Sequence, residues 1–274
     1  MNNAQNIPQA RQDEDLIPLL LAANPEDLGI LCGYITDNGN GRFSLDNAIM
    51  SKLVAAEARG SFNEQERLLI AHEIQLFGGN SILNLTRGQG VFYREVIEDV
   101  AARLKVTFAT GDPVSVIENS ILVTLASRAW EKMTDEEKAD FVKSAGLDIG
   151  LGIGPAALAA IIAAIRAAGF AAYKLAATLA HTIARQLLGR GLAFGATAPF
   201  LKGMSVLAGP IGWAITAIWS GYDLASPGYR VTVPCVIHIA YMRKKLQAVI
   251  CSSCGVPNGP DAKFCSECGH RLVA

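Results

Sequence analysis

The chain predicts a mainly α protein: a multi-helix body, an Ala/Gly-rich apolar helical hairpin and a small C-terminal zinc ribbon. Three observations carry this. Across residues 1–145, helix-starting and helix-ending residues recur at short intervals and period-two alternation is scarce. From residue 146 the texture turns to glycine and alanine, with 17 uncharged positions at 149–165 and 20 at 203–222. The tail repeats Cys-x-x-Cys-Gly. The expected organisation is a helical region 1–145, an apolar helical region 146–248 and a ribbon 249–274.

Taken in order, Asn24 followed by Pro25 and Asp27 marks a helix start, and Asn38, Gly39, Asn40 and Gly41 mark a turn. Ser44 opens the next helix. Ser61 with Glu64 forms a capping box ahead of the stripe Leu68, Leu69, His72 and Leu76, which Gly78 and Gly79 terminate. Tyr93, Val96, Ile97, Val100 and Leu104 share one face of a helix. Asp112 and Pro113 start another, with Ile121, Leu122, Leu125, Ala129 and Trp130 inward, and Thr134 with Glu137 caps its successor. Tyr229, Arg230 and Thr232, before Pro234, read as an extended lead into a last helix.

The apolar half is open between three readings: a hairpin buried in a soluble domain, a peripheral or conditionally inserted hairpin, and spanning helices made from 149–165 and 203–222. Twenty uncharged residues reach across a hydrocarbon layer as a helix. Against insertion, the first run is mostly Ala and Gly, and Arg166, Lys174 and Arg185 follow it. Gly146, Gly150 and Gly154 repeat at the spacing that permits close helix contact, as do Gly191 and Gly195. Arg243, Lys244 and Lys245 suit either an anionic leaflet or a solvated helix end.

Cys251, Cys254, Cys265 and Cys268 are the candidate metal ligands, and Zn2+ is the expected structural occupant. A two-residue gap lets both thiolates of one turn reach one ion, and tetrahedral zinc takes four such donors. Gly255 and Gly269 let the backbone turn back toward the sulfurs. With four sulfurs no position remains for substrate. His270 lies outside the paired turns and reads as an exposed side chain. Two disulfides or a rubredoxin-like iron site are the competing readings.

The remaining chemistry is sparse. With 51% apolar residues and a net charge of -1 over 274 residues, the chain offers no global basic field for nucleic acid. Its opening residues lack the charge-then-apolar pattern of a signal peptide, and reduced cysteines point to the cytoplasm, with the inner face of the cytoplasmic membrane as the alternative place. Cys32 and Cys235 read as core filler. His72 and Glu73 are followed by Leu76 where a metalloprotease needs a second histidine. Gly150, Gly152 and Gly154 precede Pro155 and follow no strand, so a dinucleotide loop is not supported. His72, His181 and His238 stand alone. No catalytic or cofactor-binding residue emerges and no small-molecule substrate is indicated.

The segments EIQLFGGNSILNLTRGQGVFYREVIEDVAARLKV (73–106) and GYRVTVPCVIHIAYMRKKL (228–246), with the opening DEDLIPLLLAANPEDLGILCGYITDNGNGRFSL, resemble the bacterial YaaW family. The resemblance covers most of residues 13–246. It implies an assembly or chaperone-like role, because that family is grouped with ubiquinol-cytochrome c chaperones. Two features depart from the family pattern: the Ala/Gly stretch, read as insertion-like, and the added ribbon. Within the matching blocks, Phe77, Gly78, Gly79, Asn80 and Ser81, then Arg87, Gly88, Gln89 and Gly90, form glycine turns, read as helix connections or as a ligand loop. Arg230 is placed to meet Glu95, Glu98 or Asp99.

The function expected is therefore non-enzymatic: a chaperone-like or adaptor protein that binds a protein partner through the ribbon and meets membrane through the hairpin. Val256, Pro257, Phe264 and Arg271 are the candidate contacts. The alternatives are a conditionally membrane-inserting, stress-related or pore-forming protein and a zinc-ribbon regulator of nucleic acid, for which Lys263 and Arg271 supply little phosphate-neutralising charge.

Overall fold

The computed structural model describes residues 10–41, 45–78, 90–147, 150, 152–167, 169–192 and 228–272. The uncharged run 203–222, the turn residues 79–89 and Ser44 lie outside them. The described residues are mainly helical and fall into two compact units, residues 1–100 with 225–235 and residues 101–224 with 236–274.

In the first unit, α1 (Ile17–Ala22), α2 (Pro25–Thr36), α3 (Asn47–Arg59) and α4 (Glu64–Phe77) pack on one another through fully buried Leu20, Leu28, Leu31, Leu53, Leu69 and Ile70. Asn24 caps α2 as expected, accepting from the Asp27 N–H at 2.9 Å. Two other starts differ from expectation. The α3 cap is Asp46, whose carboxylate accepts the Ala48 and Ile49 N–H groups. The capping box of α4 is Asn63 with Glu66, two residues beyond Ser61 and Glu64. Arg59 explains the shift: its Nε donates to the Ser61 hydroxyl at 2.9 Å, and its guanidinium pairs with Glu66 at 2.8 Å.

The carbonyls at the end of α1 would be orphaned. Arg67 satisfies them, donating to the oxygens of Leu20, Leu21 and Ala23 at 2.6, 3.1 and 2.8 Å. The segment ahead of α1 is tied down by Asp13, which accepts from the Leu16 and Tyr93 N–H groups, and by buried Gln75, which exchanges hydrogen bonds with the Arg11 backbone. Gly90 sits where a Cβ would lie 2.4 Å from the Gln75 carbonyl carbon, so no side chain fits at this position.

Glu73 faces inward from α4, only 2% exposed. Burial, reinforced by the Asp46 carboxylate, pushes its pKa up from 4.5 to about 8. The folded chain then keeps this proton over a range where the unfolded chain has released it. Stability is expected to fall as pH rises from about 4.5 to about 8 and to level off above. Glu73→Gln should flatten that slope and stabilise the chain at pH 8 by on the order of 3 kcal/mol, read from urea unfolding at several pH values. An unchanged slope counts against a buried neutral carboxyl.

Helix α5 (Tyr93–Arg103) presents the expected face, with Tyr93, Val96, Ile97, Val100 and Leu104 fully buried. The division between the units falls inside α5 and inside α10 (Tyr229–Leu246). Tyr229, Arg230 and Thr232 are helical rather than extended, and Pro234 sits inside α10. Proline removes one backbone donor there. Burial of Val231, Val233, Cys235, Val236, Ile237 and Ile239 offsets that loss. Arg230 remains exposed, and Glu98 pairs with Arg94 at 3.2 Å instead.

The second unit contains α6 (Val114–Lys132), α7 (Asp135–Ser144), α8 (Pro155–Arg166) and α9 (Phe170–Leu188), with α8 and α9 both packed on α6. Asp112 and Pro113 precede α6 and Thr134 with Glu137 caps α7, as expected. Ala157, Ile161 and Ile165 of α8 and Leu175, Leu179 and Ile183 of α9 are buried. Gly146 and Gly154 lie at helix ends, after α7 and as the α8 cap, so their four-residue spacing is not a helix-contact stripe. No single described helix is long and apolar enough to cross a membrane; α8 and α9 pass by length and composition only as a pair bent by 95°.

The basic end of α10 is built into this unit. Arg243 forms a two-pronged pair with Glu118 of α6, at 2.8 and 3.2 Å. Lys244 donates to the Ile165 carbonyl at 2.9 Å and so caps the end of α8. Burial lowers the Lys244 pKa, and the Glu118 charge opposes that shift. Both cations are therefore engaged within the unit rather than standing as a free solvated end.

Candidate metal centre

Two near-identical turns build the site. Cys251 and Cys265 each accept the N–H of the glycine four residues on, at 2.8 Å from Gly255 and 3.0 Å from Gly269. Each also donates its own N–H to the strand returning past it, to Val256 at 2.9 Å and His270 at 2.7 Å. The geometry requires a left-handed residue after the second cysteine, and Gly255 and Gly269 adopt φ of 72° and 70°. Strand β1 (Val249–Ile250) pairs antiparallel with β2 (Pro257–Asn258), and a bridge joins Phe264 to Arg271.

These turns bring all four sequence-predicted ligands together. Their sulfurs lie within 4.8 Å of one another, with Cys251 to Cys268 at 3.6 Å and Cys254 to Cys265 at 3.5 Å. A tetrahedron with zinc–sulfur bonds of about 2.3 Å has edges of about 3.8 Å, so the cage matches the ion. A disulfide needs about 2.05 Å, and all six cysteines are free thiols. The sulfurs do not ionise alike. The Cys268 N–H pulls the Cys265 thiol down to about 6. Cys254, although the Val256 N–H favours its thiolate, is pushed up to about 12 by lost hydration and the neighbouring sulfurs. Four sulfurs this close need a cation before all become thiolates, which is the chemistry zinc supplies.

Asn258, 1% exposed, holds the two turns in register, and the sequence reading missed it inside a Pro-Asn-Gly-Pro run that signals only a turn. Its Nδ2 donates to the Val256 carbonyl at 2.8 Å and to the Cys265 sulfur at 3.6 Å, while its Oδ1 accepts from the Ser266 N–H at 2.9 Å. Such outer contacts orient metal ligands. His270 is exposed and meets Ser252 at 3.2 Å, outside the donor set.

The expected contact residues divide. Val256 is 2% exposed and belongs to the ribbon core with Cys251, Cys265 and Leu272, and Pro257 is buried in β2; neither is available to a partner. A domain this small takes its apolar residues inward around the metal. Phe264, 62% exposed, and Arg271 remain outward, and Ile250, 55% exposed, joins them without having been expected.

Residues 250–272 match a zinc-ribbon domain family, and residues 68–237 match the ubiquinol-cytochrome C chaperone family. Two UPF0174 proteins of Helicobacter pylori, from strains J99 and 26695, are 36% and 38% identical, each over 65% of this chain and over 71% and 88% of their own lengths. The chain belongs to the ubiquinol-cytochrome C chaperone family and to the UPF0174 group. A further UPF0174 protein, YaaW of Escherichia coli K12, is 29% identical over 86% of this chain and 96% of its own length. A match over 86% of the chain runs through at least part of the Ala/Gly region. No solved structure matches the chain.

Proposed function

We propose that this protein is a non-enzymatic chaperone-like adaptor of the cytoplasm, in which zinc held by Cys251, Cys254, Cys265 and Cys268 shapes a ribbon that binds a protein partner. The carrying observation is the outward pair on the ribbon: Phe264 is 62% exposed and Arg271 lies opposite it across the bridge. Aromatic residues and arginine are both enriched at protein interfaces relative to the rest of the surface. The chaperone-family match over residues 68–237 supports the same class of role. The cage offers no open coordination position, so the metal serves shape and not catalysis.

A second reading is membrane contact through α8 and α9, supported by their joint length and composition. One experiment separates the two. With a photo-crosslinking residue at position 264 of the zinc-loaded full chain in cells, a discrete protein adduct that Arg271→Glu reduces at least several-fold is expected. Adducts only to lipid, or an adduct indifferent to Arg271→Glu, would remove the adaptor reading.

A further inference from the structure

The ribbon rests on the first turn of α9. Phe170, which opens that helix, packs against the ribbon core of Cys251, Val256, Cys265 and Leu272. Beside it, two backbones meet at Gly169 and Gly259. A Cβ on Gly259 would lie 3.1 Å from the Gly169 Cα, and Gly169 itself has φ of 122°, a conformation other residues rarely adopt. Gly169 is also the α9 N-cap, with no side-chain cap and no acidic residue in the turn that follows.

Electrostatics favour the same contact. A zinc ion with four thiolates carries a net charge of −2 by simple addition of the ion and its ligands. The N-terminus of a helix attracts negative charge, and here that terminus carries no competing carboxylate. Lys174, one turn on, places its ammonium 4.4 Å from the Phe170 ring centroid. Burial lowers the Lys174 pKa, and the Glu267 carboxylate between the two ligands of the second turn acts against that shift.

We infer that the ribbon is an intramolecular clamp, through which zinc occupancy fixes the break between the apolar helices α8 and α9. The inference rests on the tetrathiolate zinc reading and goes beyond partner binding. The axes of α8 and α9 are bent by 95° relative to one another. With the ribbon folded, Phe170 is half-buried against it and Gly169 is held against Gly259. When the metal leaves, the ribbon core dissolves, since a segment this small folds on its metal. The first turn of α9 then loses its cover, and the bend its outer support. Metal availability thereby sets the order of the apolar pair.

Coupling of this kind is reciprocal, so it is readable from both ends. In the full chain, Phe170→Ala should weaken zinc affinity about tenfold in competition with a chromogenic chelator, whereas Val116→Ala, exposed on α6, should leave it unchanged. In the unaltered chain, stripping zinc with a chelator should speed hydrogen exchange from Tyr173 onward, the first amide of α9 bonded back to Gly169, at 3.0 Å, and leave the interior of α6 unaffected. Either half failing overturns the clamp. One zinc per chain with neither coupling leaves the metal site standing and removes the clamp alone, while a chain that binds no zinc sinks both.

Discussion

Cys265→Ser is expected to release the metal and unfold residues 249–272, while the far-ultraviolet helical signal of the full chain stays close to that of the unaltered protein. Serine is a poor replacement because its hydroxyl keeps its proton at neutral pH, whereas the Cys268 N–H holds the Cys265 thiol below its usual range and Asn258 contacts the sulfur. The loss is large for the ribbon. Structural zinc contributes on the order of 10 kcal/mol to small domains of this type, against a core of only Cys251, Val256, Cys265 and Leu272 with a few partly buried neighbours. The helical body has its own buried layers, from Leu16 to Ile74 in the first unit and from Ile117 to Ile183 in the second. Elemental analysis with circular dichroism reads both outcomes. Cys268→His offers a graded check, since three sulfurs and one imidazole also form a structural zinc set and should retain part of the metal. Collapse of the helical signal along with the ribbon would mean that the body does not fold without its tail.

How far the sequence reveals this arrangement depends on the range of the interaction. The four ligands were legible because their spacing is itself the geometry: two residues between cysteines and a glycine after each pair dictate the turns and hence the cage. The Asn24 and Thr134 caps were legible for the same local reason. The cap of α4 was misplaced because two local patterns competed, and what decided between them was Arg59 holding the Ser61 hydroxyl, a contact made across a turn. Pro234 misled more strongly. A local rule places a chain break there, but burial of Val231, Val236 and Ile237 keeps the helix continuous. Val256 and Pro257 looked outward only because nothing in their spacing shows that β2 turns into the ribbon core. Phe170 and Gly169 were beyond reach: they stand far along the chain from the ribbon, and their role exists only once Gly259 comes to rest on them.

The same limit applies to the basic run at the end of α10, where the largest effect on the helical body is expected. Arg243→Met should destabilise the second unit by about 3–5 kcal/mol, because it leaves the Glu118 carboxylate, whose side chain is 2% exposed, without its guanidinium. Most of that loss is the cost of a buried charge and not the worth of the pair, so Glu118→Leu combined with Arg243→Met should recover the greater part of it. Recovery should stay incomplete, since the Glu118 charge also favours the ammonium of Lys244 that caps α8 at the Ile165 carbonyl. Thermal and urea unfolding of the two single variants and the double one measure the coupling directly. If these cations were membrane anchors instead, removing them would weaken binding to anionic vesicles and leave unfolding where it was. The pairing at 2.8 Å within the packed unit predicts instead that unfolding shifts.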